Sequence, residues 1–116
     1  MTTYKQGRVV LIPFPFTDLT TAKQRPSLII SSDKFNNTAS DLILLAITSH
    51  IPPKLSEFEF RLSETDQKSC GLPKASVVKL GKVASIEQIL IRKVLGEMPR
   101  ETLSQIHSKF IKIIGQ

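Results

Sequence analysis

Apolar residues fall in short blocks separated by polar punctuation. Residues 8–16 (RVVLIPFPF) are apolar and β-branched, which predicts a strand. Pro13 and Pro15 carry no amide hydrogen for a ladder, so this strand is expected at a sheet edge or ending in a bend. Residues 26–32 (PSLIISS) and 41–49 (DLILLAITS) are continuous apolar runs of strand length. Such runs suit strands covered on both faces or packed across a small barrel. Between them DKFNNTAS reads as a turn-rich connection.

Farther on, EFEFRLS alternates: Phe58, Phe60 and Leu62 point one way, Glu57, Glu59 and Arg61 the other. That is the mark of a half-exposed antiparallel strand. Residues 64–74 are polar with Gly71 and Pro73, and read as a loop. SVVKLGKVASI predicts a strand broken by a bulge or bend at Gly81, and RKVLGEM a last short strand. Only the C-terminal end reads as a helix. Leu103, Ile106, Phe110, Ile113 and Ile114 recur at spacings of three and four after Pro99, with His107 packed at the stripe's edge. The sum is one mainly β domain over residues 1–116, a small barrel or strongly bent sheet closed by a terminal helix.

Charge narrows the partners. Sixteen Lys and Arg against ten Asp and Glu give a net charge of +6, which favours polyanions through counterion release. The same charge would also simply keep a protein in solution. No secretory leader pattern and no run of about 18 apolar residues is present, so the expectation is a soluble, cytoplasmic protein without a membrane. Cys70 is the lone cysteine and reads as an inert loop thiol.

Neither a metal nor a cofactor is expected. His50 and His107 lie far apart without Cys or carboxylate partners at ligand spacing. Gly71, Gly81 and Gly96 are isolated, and none opens a helix after a strand as a phosphate-binding loop would. What remains is Arg25, Thr48, Ser49 and His50. Pro26 disfavours helix at Arg25 and holds it extended at the mouth of the second strand. Its planar fork of donors matches two phosphate oxygens at once. Thr48 and His50, two apart at a strand end, share one face while Ser49 points to the other. Each has a plainer reading: an Arg25 salt bridge to Asp18 or Asp33, a Thr48 hydroxyl serving local backbone, a His50 that only makes a turn.

Three stretches together resemble a known family: GRVVLIPFPFTDLTTAKQRPSLIIS from Gly7, LLAITSHI around Thr48, and GLPKASVVKLGKVASIEQILIRKVLGEM from Gly71. The chain is similar, collinearly and over almost its whole length, to the MazF/PemK toxins of type II toxin-antitoxin pairs. That resemblance implies an SH3-like barrel, a homodimer, and metal-independent cleavage of single-stranded RNA held in check by a cognate antitoxin. It also implies catalytic positions at Arg25 and Thr48. On the strand where some members carry an arginine and an aspartate, this chain has Lys79 and Gly81, and His50 stands where relatives often have glutamine.

In such a reaction Arg25 would neutralise charge on the phosphoryl group and Thr48 would orient it. His50 would be the nearby candidate for acid-base work. Lys23, Lys79 and Lys82 would line the RNA backbone's path, Ser49 would add an RNA contact, and residues 17–24 and 50–56 would read the bases. With one Tyr and six Phe, a general stacking platform is not indicated. Two other classes stay open: a non-catalytic toxin of the same fold that binds a protein such as a gyrase, and a plain nucleic-acid-binding module.

Overall fold

The computed structural model describes residues 4–13 and 24–115. The expected end of the first strand at residues 14–16, most of the loop after it and Lys23 lie outside the described residues. Among the described residues six strands form one sheet: β1 (Arg8–Pro13), β2 (Gln24–Ile29), β3 (Asp41–Thr48), β4 (Glu59–Arg61), β5 (Val77–Glu87) and β6 (Lys93–Glu97). Their order is β4-β5-β3-β2-β1-β6, with every neighbouring pair antiparallel. Among the described residues the sheet is not closed, since β4 and β6 are its two edges. It is the mainly β, bent-sheet form of the expected SH3-like architecture.

The first strand is not an edge. β1 pairs with β2 on one side and β6 on the other. Its proline constraint is met differently: Pro13 is the strand's last residue, where a missing amide costs the ladder least.

Continuous apolar runs in β2 and β3 have a simple cause, because both faces of the sheet are covered. Val9, Leu28, Leu45, Ile47, Val78 and Leu80 point into one core. Val10, Ile12, Ile29, Leu42, Leu44, Ala46, Ala84 and Ile86 point into the other. Alternate residues of one strand thus serve different cores, and each fully buried Leu, Ile or Val contributes roughly 1.5–3 kcal/mol.

Two short helices contradict the loop readings of their segments. α1 (Asp33–Thr38) lies in the connection after β2, and α2 (Glu64–Ser69) in the polar stretch after β4. Each is nucleated by a serine cap: Ser32 accepts from the Phe35 amide and Ser63 from the Asp66 amide. Both are six residues long, too short to display an apolar stripe. α3 (Arg100–Ile114) is the expected C-terminal helix, with Pro99 at its N-cap. Ile106 and Phe110 seal the first core, but His107 and Ile114 face solvent, so neither packs as its spacing suggested. Among the described residues no helix is long and apolar enough to cross a membrane.

The bulge expected at Gly81 is present and sets the shape of β5. Leu45 pairs with Val83 and Ala46 with Lys79, so Leu80, Gly81 and Lys82 are extra on the β5 side. Such an insertion bends its strand and raises local twist. β3 and β4 flank β5 and run parallel to each other, so residues 49–58 must carry the chain past β5.

Candidate functional site

Arg25 and Thr48 come together because β2 and β3 are adjacent. The ladder between them ends at Ser27 and Ala46, and just beyond it Arg25 and Thr48 line the same two hollows. On its other side Arg25 faces Ile12, a fully buried member of the second core. Position parity therefore puts Arg25 and Thr48 at the outer rim of that core. A half-buried guanidinium rising beside a fully buried isoleucine is held by its apolar stem.

Two hollows meet at this pair. The smaller, about 150 Å³, is lined by Arg25, Ala46, Ile47, Thr48, His50, Lys79 and Lys82. The larger, about 450 Å³, has Arg25, Thr48 and Ser49 on its wall with Gln24, Pro26, Leu72, Lys74 and Leu95. Arg25 and Thr48, with Ile47, thus form the partition between a small notch rimmed by basic side chains and a wider groove. A still larger hollow of about 560 Å³ lies at the start of α3, but Asp33 and Glu97 offset Lys5 and Arg100 in its wall. It offers a polyanion no net attraction.

Polar geometry at the rim is specific. The Nε of Arg25 is buried and has no hydrogen-bond partner among the described residues. A buried donor in that state costs about 1–3 kcal/mol, which an anionic acceptor would recover. The anticipated tie to Asp33 is absent: that carboxylate instead accepts from the Gln6 amide at 2.8 Å. Thr48 Oγ1 accepts from the backbone N–H of His50 at 3.0 Å, closing a tight turn at the strand end. The plain role and the chemical one coexist, since a hydroxyl that accepts one bond still has its own hydrogen to donate. His50 and Ser49 are exposed, His50 on the smaller hollow and Ser49 on the larger.

The lysines differ from one another. Lys82, in the bulge, is exposed on the smaller hollow. Lys79 reaches the same hollow but is bound to Glu59, Nζ to Oε2 at 2.6 Å. That bond, with the Ser56 amide and charge attraction to Lys79 helping, holds the Glu59 carboxyl below its ordinary range. Glu59 was legible only as an outward residue of an alternating strand. Lys74 and the turn from Gly71 to Ser76 also escaped the sequence reading, because a polar loop gives no hint of which groove it borders. Cys70 is buried rather than on a loop surface, its thiol 3.5 Å from the Met98 sulfur. Burial, with Asp66 second, pushes its pKa up to about 12. Among the described residues no group of three His, Cys, Asp or Glu side chains is placed to hold a metal ion.

A family model described as PemK-like, MazF-like toxin of type II toxin-antitoxin system matches residues 5–114. No curated protein matches the sequence closely enough to count as a relative. Solved structures do. MazF from Deinococcus radiodurans superposes with a TM-score of 0.77 at 21% identity, covering 100% of both chains. An endoribonuclease from a mycobacterial species gives 0.76 at 18% identity, covering 99% of this chain and 94% of its own. A mycobacterial endoribonuclease in complex with its cognate antitoxin gives 0.75 at 16%, covering 99% and 96%.

Proposed function

The chain belongs to the PemK-like, MazF-like toxins of type II toxin-antitoxin systems, and on that footing we propose that it is an endoribonuclease cutting single-stranded RNA at short sequence motifs. The observation that carries this reading is the shared position of Arg25 and Thr48 on the wall between the two hollows. An unpaired strand laid over that wall brings a phosphodiester against a guanidinium and an alcohol together.

The reaction uses the RNA's own 2′-hydroxyl. Its oxygen attacks the adjacent phosphorus, the bond from phosphorus to the 5′-oxygen breaks, and the products are a 2′,3′-cyclic phosphate and a 5′-hydroxyl. Charge grows on the non-bridging oxygens, and Arg25 meets it with a charge that persists at any working pH. Thr48 gives its remaining hydrogen to a phosphoryl oxygen. His50, at the open side of the smaller hollow, handles a proton, taking it from the 2′-hydroxyl or giving it to the departing oxygen. The scheme asks for no metal-activated water.

Lys82, Lys79 and Lys23 guide the RNA backbone, and Ser49 contacts the strand where it enters the larger hollow. Bases are read by the loops at residues 17–24 and 50–56. The working unit is a homodimer in the cytoplasm, restrained by a cognate antitoxin with an acidic, partly disordered tail that competes for the same basic groove. Incubating the purified protein with a mixed single-stranded RNA in EDTA tests the reading. New cyclic-phosphate ends support it. Retention without cutting would instead mark a binding module, and neither outcome would point to a toxin with a protein target.

A further inference from the structure

Glu59 lines neither hollow, yet it fixes part of one wall. Its carboxylate is divided between two partners. Oε1 accepts from the Ser56 amide at 2.8 Å, and Oε2 meets Lys79 Nζ at 2.6 Å. Ser56 belongs to the segment that carries the chain past β5. Lys79 lines the small hollow with Arg25, Thr48, His50 and Lys82. Strand register puts the pair on the site's side of the sheet, since Glu59 lies opposite Lys79 and Lys79 opposite Ala46.

Exposed ion pairs usually contribute little, and two here fit that description. Arg8 Nε is 3.9 Å from Glu97, too far for a hydrogen bond, and Lys68 with Glu64 is 3.5 Å apart and open to solvent. The Glu59 side chain is only 11% exposed and its lysine 29%, and both carboxylate oxygens are used. Three cations around about 150 Å³ would otherwise repel one another. An untethered lysine, with four rotatable bonds, would move outward and have to be ordered by each substrate.

We propose that Glu59 is a positioning residue for RNA cleavage, holding Lys79 against the small hollow and fastening the 49–58 segment to β4 without touching substrate. The inference rests on the ribonuclease reading above. It has an unusual signature. Glu59 cancels one positive charge, so its loss frees a cation for RNA binding while removing the order that turnover needs. Turnover then falls while binding does not, which the loss of a carboxylate that merely supports the fold would not cause.

The experiment compares wild type, Glu59→Gln, Lys79→Ala and the double variant as full chains. Turnover is read on a mixed single-stranded RNA, and affinity on a DNA strand of the same sequence, which lacks the attacking hydroxyl. Glu59→Gln is expected to lower kcat about tenfold or more. Its DNA affinity stays equal or rises, with a salt dependence steeper by up to about 0.7 in the log-log slope. The double variant cuts no more slowly than Lys79→Ala alone. Penalties that add, weaker DNA binding in Glu59→Gln, or turnover at the wild-type rate would each overturn the proposal. Should Glu59→Gln fail to fold, the exchange Glu59→Lys with Lys79→Glu restores the pair and its melting temperature. It should still cut poorly, because a carboxylate now faces the phosphates, and full activity in that variant would equally overturn the proposal. A wild type that leaves RNA intact brings down the ribonuclease reading and this inference together. If wild type and Glu59→Gln cut alike, only the inference falls.

Discussion

Thr48 Oγ1 and the backbone N–H of His50 are joined at 3.0 Å, so the turn that ends β3 is built from the hydroxyl proposed to hold the phosphate. One side chain therefore shapes the rim and works on it. Thr48→Ser keeps both functions and is expected to retain most activity. Thr48→Ala loses both, with kcat falling about tenfold or more and stability by about 1 kcal/mol. Single-turnover cleavage and a denaturant melt on the same samples separate the two losses.

Removal of Arg25 should be felt in the chemical step more than in binding. Arg25→Ala is expected to cut at least about a hundredfold more slowly. Arg25→Lys recovers only part, because an ammonium cannot present two parallel donors to a phosphoryl group. Both variants should melt near the wild-type temperature or above it, since a buried donor without a partner among the described residues disappears. Near-normal cleavage by Arg25→Ala would rule out the assignment.

If His50 moves a proton, the pH–rate profile of cleavage must carry a limb that depends on its imidazole. His50→Gln is expected to cut more slowly and to lose that limb. An identical limb in the variant would assign the proton to another group.

Two glycines and a third should behave oppositely. A Cβ on Gly96 would collide with the Ser69 carbonyl and Cys70 backbone, and one on Gly71, already at φ +70°, with the Leu95 carbonyl. These close approaches let the end of α2 dock against β6 beneath the larger hollow. Alanine at either position is expected to cost about 1–3 kcal/mol or more. Gly81, with nothing within 4 Å of an added Cβ, should accept alanine with little change. Thermal melts of the three variants decide it.

Cys70 gives a prediction in alkali. Its thiol keeps its proton in the fold up to about pH 12, against an ordinary 9.0. Between those values the unfolded chain has lost a proton that the folded chain retains. Stability therefore falls as pH rises above about 9, and the group contributes no pH dependence below it. Cys70→Ala should flatten that alkaline slope, and alkylation of wild type near neutrality should proceed no faster than unfolding.

Strand positions were readable because continuous apolar runs report burial directly; alternation misled in the β4 region, where Phe58 is 47% exposed and the Glu59 side chain only 11%. Arg25 and Thr48 were singled out by their own chemistry and by the family resemblance, and in the fold they line the same two hollows. Proximity was not readable: nothing in the order of residues says that Ser27 pairs with Ala46, or Glu59 with Lys79. Register comes from the two packed faces acting together. α1 and α2 were missed because six residues cannot show a helical period. Their only local signal was the serine cap three residues before Phe35 and before Asp66. His107 was misplaced because its spacing put it at the stripe's margin, where a small rotation of α3 decides between core and solvent.

The division of odd and even positions between two cores also constrains how such a chain can evolve. Deleting a single codon within residues 25–29 or 44–48 would shift the phase of a whole strand. It would send residues of one core into the other and carry the Arg25 guanidinium from the rim to the opposite face of the sheet. Side chains on this rim can be exchanged one at a time, but a change of length is absorbed only in a connecting loop or at a bulge such as that of β5.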